Sequence, residues 1–311
     1  MTLETHRACR PFTEAGTLSQ ITAYYEEGRN ILWTMLHAQP RPCFNPGLLR
    51  DISILSRAAR DSGLPIDFWV TGSTVPDIFN VGGDLALFAA HIRSGKREPL
   101  LRYAQSCIEA VYDAYTGFGT GAISIAMIEG TALGGGLEAA LAHHFILGQR
   151  DVEMGFPEIA FNLFPGMGAY SLVARKANMR LAEELISTGQ SHSAEWFAER
   201  GLVDDVFDRG DAFVATRTFI DVMRPRLNGI RAMIRTRGRV VPTTREELIA
   251  ITEDWVNAAF QLEEKDLAYM ERLVLLQNRR SARLRSQAPA PESVPPGVRG
   301  VMPPSEAYGL R

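Results

Sequence analysis

The most apolar part of the chain, residues 117–137, runs into three consecutive glycines at 134–136. A membrane span needs about 20 uninterrupted apolar residues, and here Glu129 and the glycines break the stretch. The segment 122–128, by contrast, has the length of a buried strand. We therefore predict a buried strand that leads into a glycine-rich loop, which restricts the chain to folds with a covered sheet.

Strand-like and helix-like segments alternate through the first half of the chain. The run 26–30 separates two apolar segments and predicts a β-hairpin, and Asn45-Pro46 is typical of a helix N-terminus. Strands are predicted at 21–25, 31–37, 66–70, 122–128 and 145–147, and helices from 46 to about 59 and at 100–115. This alternation favours an α/β fold with a parallel, buried sheet.

After about residue 171 the pattern becomes helical. Helices are predicted at 181–187, 193–200 and 212–223, and as one long segment at 246–285. Residues 286–311 hold six of the 17 prolines and almost no apolar periodicity, so we predict an extended or flexible tail. Such a tail is either a solvated, dispensable terminus, which is the simpler interpretation, or a strip that binds a partner.

The composition argues against several classes of protein. A net charge of −3 creates no general attraction for nucleic acid. Three widely spaced cysteines offer no disulfide framework and no metal-ligand pairs, and His143 and His144 are predicted to pack near a strand start rather than bind a metal. Because residues 1–12 lack the apolar core of a secretory signal, we expect a cytoplasmic protein.

The near-zero net charge hides an arginine-rich stretch at 224–245. A run of this kind is ordinarily the solvated face of a helix. Its second interpretation is a docking surface for an acidic partner, and the sequence leaves both open.

Three short motifs follow one another in the region of the predicted strands. They read Phe-Asn-Val-Gly-Gly-Asp at 79–84, Ala-Leu-Gly-Gly-Gly-Leu-Glu at 132–138, and Met-Gly-Phe-Pro-Glu at 154–158. The first two are glycine loops between a strand and a helix, where backbone N–H groups lack helical partners and a substrate oxygen can approach closely. Two such loops facing one point would form an oxyanion hole.

The two glycine loops do not have the pattern of a nucleotide site. Neither loop continues into the Gly-Lys-Ser/Thr of a phosphate-binding loop, and the dinucleotide pattern G-x-G-x-x-G is absent. Taken alone, however, the triple glycine also fits a tight turn with close packing of helix and strand, which would carry no chemistry.

Two glutamates favour the catalytic interpretation. Glu138 lies early in a nearly all-apolar helix, where a carboxylate is unfavourable unless it is paired or functional. Glu158 follows a Phe-Pro turn and could also be an ordinary capping residue. At one site the two would titrate as a coupled pair with one carboxyl protonated near neutral pH, which suits general acid–base catalysis.

In this order, the motifs resemble those of the crotonase (enoyl-CoA hydratase/isomerase) superfamily over residues 21–206. The resemblance implies a crotonase-like α/β fold of repeated ββα units. It also implies oxyanion-hole N–H groups at Gly83 and Gly135, and catalytic carboxyls at Glu138 and Glu158. Because both glutamates are present, hydration or dehydration is favoured over simple isomerisation.

The resemblance divides the chain into four parts. Residues 1–18 form an N-terminal extension and 19–205 the catalytic core. Residues 206–285 form a helical region that closes the pocket and mediates oligomerisation, and 286–311 the proline-rich tail. By resemblance we expect a homotrimer or another homo-oligomer.

A narrower resemblance is to the diffusible-signal-factor synthases, crotonase-fold enzymes that make cis-2-unsaturated fatty-acid signals. The phrases that carry it lie at 33–48, 79–88, 143–144 and 161–171, and include Pro-Arg-Pro-Cys-Phe and Phe-Asn-Leu-Phe-Pro-Gly-Met-Gly. The proline-rich tail is a departure from a minimal member, so its role is open.

This narrower resemblance implies a bifunctional enzyme. It would dehydrate a 3-hydroxyacyl chain on acyl carrier protein, or on coenzyme A, and hydrolyse the thioester to release a free 2-enoic acid. No metal or nucleotide cofactor is implied. An apolar pocket for the acyl chain is expected to be lined by Leu133, Gly136, Met167 and Trp255, although Met167 and Trp255 could equally be core residues.

Two alternatives remain at this stage. One is an enoyl-CoA hydratase of fatty-acid metabolism, which would carry the same glutamates. The other is a non-catalytic crotonase-fold module that binds a regulatory protein, against which the presence of both carboxyls argues.

Overall fold

The computed structural model of the chain describes residues 9–14 and 16–287, with side chains described to residue 279. Its strands are β1 (Cys9–Pro11), β2 (Ile21–Glu26), β3 (Ile31–Leu36), β4 (Phe68–Ser73), β5 (Ile78–Asn80), β6 (Ile123–Ile128), β7 (Thr131–Leu133), β8 (Phe145–Gln149), β9 (Glu153–Gly155), β10 (Ser191–Ser193) and β11 (Asp205–Phe207).

The α-helices begin and end close to most of the predicted bounds. They are α1 (Pro46–Asp61), α2 (Leu85–Arg93), α3 (Arg97–Tyr115), α4 (Gly135–Ala142), α5 (Ala169–Lys176), α6 (Met179–Thr188), α7 (Ala194–Glu199), α8 (Ala212–Met223), α9 (Leu227–Val240), α10 (Arg245–Ala259) and α11 (Glu264–Gln287). Short 3-10 turns lie at Gly117–Gly119, Pro157–Phe161 and Arg224–Arg226.

A seven-stranded sheet in the order β1-β2-β3-β4-β6-β8-β11 forms the centre of the fold. Strands β3, β4, β6, β8 and β11 are parallel, which confirms the predicted α/β class. The predicted hairpin is the antiparallel pair β2 and β3, and β1 extends the sheet beside β2, so the sheet is mixed rather than wholly parallel.

The two faces of this sheet bury separate sets of apolar side chains. Along β4, Phe68 and Val70 face a cluster that includes helices α8 and α9, whereas Trp69 faces the larger cluster that includes α1, α3 and α4. Alternation of this kind follows from the two-residue period of a strand. Helix α9, with its arginines, therefore packs on one face and the α3–α4 layer on the other.

A second sheet, which the sequence did not predict, has the order β10-β9-β7-β5. Each of its strands has only three residues, too few to show an alternating pattern. Strands β5, β7 and β9 run parallel, so their carboxyl ends lie at one edge. The glycine loops thus follow these short strands directly, whereas the sequence placed the first loop after the strand at 66–70 and the second after the strand at 122–128.

The long helix predicted at 246–285 is two helices, α10 and α11, separated by residues 260–263. The Asp266 carboxylate accepts a hydrogen bond from the N–H of Glu263 at 3.0 Å and from Asn162 at 3.3 Å, so a new N-terminus is stabilised at this point. Helix α11 then continues to Gln287, two residues into the predicted tail. The remainder of that tail, 288–311, lies outside the described residues.

Helices α10 and α11 return across the amino-terminal half of the chain. Helix α10 packs on α3, and α11 packs on α2, where Arg93 binds both Glu264 and Glu271. In the described part of the chain, no helix has the length and apolarity needed to cross a membrane.

The predicted start of α1 provides a test of the fold. The Asn45 side chain accepts from the N–H of Leu48 at 3.0 Å and donates to Gln20 and to the carbonyl of Gln39. Asn45→Ala should lower the free energy of unfolding in urea by about 1 kcal/mol or somewhat more, because the cap is lost. Asn45→Ser loses the same two donor bonds as Asn45→Ala but keeps a neutral capping oxygen, so it should lose less, and equal losses would contradict a capping role.

Candidate active site

The second sheet gathers the three predicted motifs at one place. Strand β5 leads to Gly82 and Gly83, β7 leads to Gly134 and Gly135, and β9 leads to Glu158. Because the three strands are parallel neighbours, the loops after them lie side by side. The sequence suggested that these motifs share one site, and the structure brings them together through short strands that the sequence did not predict.

The two glycine loops touch through their backbones. Gly82 has φ +92°, and a Cβ there would lie 2.9 Å from the N of Gly135 and 3.0 Å from the carbonyl oxygen of Leu133. A Cβ on Gly135 would in turn lie 3.5 Å from the N of Gly83. Only a glycine at position 82 allows this approach, and it brings the backbone N atoms of Gly83 and Gly135 close together.

Those two N–H groups are available to a ligand. Within the described residues, neither donates a hydrogen bond to a protein acceptor. Gly135 is the first residue of α4. The N–H groups of a first helical turn have no partner in the helix and lie at the positive end of the helix dipole. The pair therefore has the chemistry of a two-donor oxyanion hole.

A mainly apolar cavity of about 200 Å³ opens beside this pair. Predicted site residues that line it are Gly83, Leu133, Gly135, Glu138, Glu158, Met167 and Trp255. A carbonyl at the two N–H groups would thus have both carboxyls and an apolar wall around it.

Glu138 is fixed in the first turn of α4 and is 1% exposed. Its Oε1 accepts hydrogen bonds from the N–H groups of Met167 at 2.7 Å and Ala169 at 2.8 Å. Burial raises the pKa of Glu138 from 4.5 to about 7, while these backbone donors act in the opposite direction by favouring the charged form. Glu138 is therefore poised to change charge near neutral pH.

Glu158 is the second residue of the 3-10 turn Pro157–Phe161, and its carboxyl occupies the space that a side chain at Gly134 would fill. Its buried Oε2 has no hydrogen-bond partner among the described residues. Burial, followed by the nearby charge of Glu138, raises the pKa of Glu158 well above 4.5. Because the two carboxyls are buried close together, they titrate as a pair, and one proton shared between them is favoured near neutral pH.

Met167 and Trp255 form the wall next to the glycines. The Met167 sulfur lies 2.5 Å from where a Cβ on Gly135 would be, so it covers the N-terminus of α4. Trp255 of α10 packs against Gly166 and edge-to-face against Phe88, with ring centroids 4.8 Å apart. Both residues lie in the cavity wall as well as in the core, so the two interpretations offered by the sequence are not exclusive.

Gly136 is placed differently from the prediction. It does not line the cavity; a Cβ at this position would collide with the backbone carbonyl of Asn80. Its role in this structure is to let α4 pack closely against the end of β5.

Sequence reasoning missed the part of the wall supplied by α3 and α11. Helix α3 contributes Tyr103, Ala104 and Cys107. Their helical spacing predicts that they share a buried face, but it does not show that this face borders a cavity. Helix α11 contributes Tyr269, Leu273 and Gln277. Burial raises the pKa of Cys107 to about 12, which keeps it an inert thiol.

The histidine pair packs in the interior. The ring of His143 contacts Thr71 Oγ1 at 2.9 Å, and Nδ1 of His144 accepts from the N–H of Ser124 at 3.0 Å. Burial lowers the pKa of His143 to about 4 and of His144 to about 3, so both are neutral. Their partners account for them without a metal.

The part of the arginine-rich stretch that forms α9 packs on the face of the large sheet opposite the cavity, whereas Arg245 begins α10 beside α3. Arg231 binds Asp67 at 2.9 Å, Arg224 lies 3.9 Å from the same carboxylate, and Arg245 binds Glu109. Internal ion pairing thus accounts for three of these arginines.

Glu138 yields a pH-dependent stability prediction. Between pH 4.5 and about 7, the unfolded chain loses the Glu138 proton more readily than the folded one, so wild-type stability falls as pH rises. Glu138→Gln removes this penalty. Its melting temperature relative to the wild type should therefore rise from about pH 5 to about pH 8, measured by calorimetry. The exposed Glu199→Gln is the control, and identical pH profiles for Glu138→Gln and wild type would contradict the buried titration.

Known proteins match this chain in sequence. A family model for enoyl-CoA hydratase/isomerase matches residues 69–253. The enoyl-CoA isomerase/hydratase fer4 of Mycosarcoma maydis is 42% identical over 84 residues, which cover 27% of this chain and 31% of that protein. The chain spans less than half the length of the curated relatives it matches, between 16% and 44%.

Solved structures match over most of the chain. An enoyl-CoA hydratase/isomerase from Xanthobacter autotrophicus Py2 superposes with a TM-score of 0.65 at 19% identity, covering 88% of this chain and 100% of that one. DspI of Pseudomonas aeruginosa superposes with a TM-score of 0.60 at 25% identity, covering 85% and 98%. These likenesses confirm the crotonase-like fold. With the family model matching more than half of its residues, the chain belongs to the enoyl-CoA hydratase/isomerase family.

Proposed function

We propose that this chain is a dehydratase and thioesterase that converts a 3-hydroxyacyl thioester, carried by acyl carrier protein, into a free 2-enoic acid. The observation that carries the chemistry is the pair of buried carboxyls with raised pKa values in the same cavity as two unpaired backbone donors of the described chain. The pair provides both a base and an acid near neutral pH.

The thioester carbonyl is bound by the N–H groups of Gly83 and Gly135. These donors stabilise the enolate that forms when the α-proton leaves, and they stabilise the tetrahedral intermediate of hydrolysis equally well. One oxygen develops negative charge in both steps, so one site serves both reactions.

Dehydration moves the shared proton between the glutamates. Ionised Glu158 removes the α-proton while protonated Glu138 donates to the departing 3-hydroxyl, which leaves as water. The pair ends with Glu158 protonated and Glu138 ionised, and the N–H groups of Met167 and Ala169 stabilise the charge on Glu138.

Hydrolysis returns the pair to its starting state. Ionised Glu138 takes a proton from the attacking water, and the oxyanion hole holds the tetrahedral intermediate. The carbon–sulfur bond then breaks, and Glu158 protonates the leaving thiolate. Each glutamate regains its initial protonation state, so no other acid, base or cofactor is needed.

Two of the phrases that resemble those of the diffusible-signal-factor synthases adjoin this cavity or the loop of Gly83. The Phe-Asn-Leu-Phe-Pro-Gly-Met-Gly phrase, at 161–168, supplies the Met167 N–H that binds Glu138. The Pro-Arg-Pro-Cys-Phe phrase, at 40–44, lies along the loop that carries Gly83. These placements support the synthase function over that of a general enoyl-CoA hydratase.

A cytoplasmic homo-oligomer is part of the proposal. Exposed apolar residues on the C-terminal helices suit subunit contacts; they include Met233, Leu275 and Leu276.

The second candidate is an enoyl-CoA hydratase. It is favoured by the curated relatives, whose names describe hydratase and isomerase activities. The same glutamates would add water to a trans-2-enoyl-CoA, and no thioester hydrolysis would follow.

Product analysis separates the two candidates. Purified protein is incubated with 3-hydroxyacyl carrier protein, and with trans-2-enoyl-CoA, and products are identified by mass spectrometry. The proposal predicts a free 2-enoic acid from the first substrate. Interconversion of enoyl and 3-hydroxyacyl thioesters without free acid would establish the hydratase, and acyl-ligand binding without turnover would establish a non-catalytic module.

The glutamates should be required for both steps. Glu138→Gln and Glu158→Gln should each lower kcat by about 100-fold or more, because an acid or base is lost in the transition state. A matched control is Glu247→Gln, because Glu247 does not line the cavity and this variant should keep its activity. Full activity in both cavity variants would refute the assigned roles.

A further inference from the structure

Residues 41–45 run alongside the loop that carries Gly83. The N–H of Val81 donates to the carbonyl of Pro42 at 2.9 Å, and the N–H of Phe44 donates to the carbonyl of Gly82 at 2.8 Å. These two bonds fix the backbone of the Gly83 loop against residues 42–44. They leave the side chain of Arg41 at the start of α2.

Arg41 binds the residue that directly follows Gly83. Its Nη2 donates to Oδ1 of Asp84 at 2.6 Å, and both residues are only 8% exposed. The same Asp84 oxygen accepts from the N–H groups of Ala86 and Leu87, so it caps α2. Any displacement of the Asp84 carboxylate therefore acts on the backbone next to the Gly83 N–H.

The other arm of the guanidinium reaches the C-terminal helix. Nη1 of Arg41 donates to Oδ1 of Asn278 at 3.2 Å. The preceding residue, Gln277, lines the cavity. Arg41 thus joins the glycine loop to the helix that closes the pocket, although it is not itself a lining residue.

Arginine suits this place for a physical reason. A buried cation is unfavourable unless it is paired, and the planar guanidinium can donate in two fixed directions at once. Lysine would present a single ammonium and could satisfy Asp84, but not Asn278 in the same geometry.

We propose that Arg41 is a positioning residue that holds the Gly83 N–H in place through Asp84 and couples it to closure by α11 through Asn278. The expected effect of Arg41 on catalysis rests on the proposed function. Its effect on the position of the Gly83 loop does not depend on which thioester is the substrate.

Kinetics give the first test. An oxyanion-hole donor acts mainly in the transition state, so Arg41→Gln should lower kcat about tenfold or more with little change in KM. Arg41→Lys should recover part of that loss. Asp84→Asn, which keeps a capping side chain, should also lower kcat, and combining it with Arg41→Gln should add little further loss.

Hydrogen–deuterium exchange gives the second test and needs no activity. In Arg41→Gln, amides at 81–84 should exchange faster than in the wild type. The matched control is Arg217→Gln, which breaks the buried pair with Glu26 on the other face of the large sheet, 2.9 Å in length. This control should lower stability without changing kcat or exchange at 81–84.

The outcomes are distinguishable. Unchanged exchange at 81–84 in Arg41→Gln would overturn the proposal whatever the enzyme does. Equal loss of kcat in Arg41→Gln and Arg217→Gln would show a merely structural role and would also overturn it. If the wild type turned over no thioester, the proposed function would fail, and the exchange result alone would decide the role of Arg41.

Discussion

The backbone contact between the Gly82–Gly83 loop and the Gly134–Gly135 loop is the constraint on which the site depends. It requires two short parallel strands to end together and leaves no room for a side chain at Gly82. It also sets where α4 begins, and hence where Glu138 lies. The chemistry of the cavity therefore follows from close packing of two turns, and a single Cβ would disturb both donors and one carboxyl.

Burial then gives the two glutamates different properties. Glu138 faces two backbone N–H groups that stabilise its charge, whereas Glu158 has a buried oxygen without a partner among the described residues. Their different surroundings therefore give these two identical side chains different pKa values. One proton shared between unequal sites is sufficient for a step that removes a proton from carbon and delivers one to oxygen.

The sequence predicted the α/β class, the hairpin and the start of α1 at Asn45-Pro46, and seven of its eight candidate site residues line the cavity. These features depend on strong local signals: apolar runs, a capping residue, and glutamates in apolar surroundings. The second sheet was beyond sequence reasoning because three-residue strands such as Thr131–Leu133 carry no periodicity. The break before α11 was missed because it depends on Asp266 accepting from Glu263, in a region without glycine or proline.

The sequence pattern also could not predict contacts between segments that are far apart in the chain. Helix α3 shows a buried face but not which ligand space it borders, and Gly136 sits in a catalytic phrase although it serves packing against Asn80. Arg41 appeared in the sequence only as part of a family phrase. Its link to Asp84 and Asn278 joins residues that are far apart in the chain.

In the proposed reaction, one thioester carbonyl meets both glycine N–H groups while both carboxyls lie beside the acyl chain. The most direct measurement is a crystal structure with a 3-hydroxyacyl pantetheine analogue whose thioester is replaced by an amide. We expect a carbonyl oxygen about 3 Å from the N atoms of Gly83 and Gly135, and a 3-hydroxyl in contact with a glutamate. A carbonyl bound away from these donors, or an acyl chain outside the cavity, would contradict the proposed mechanism.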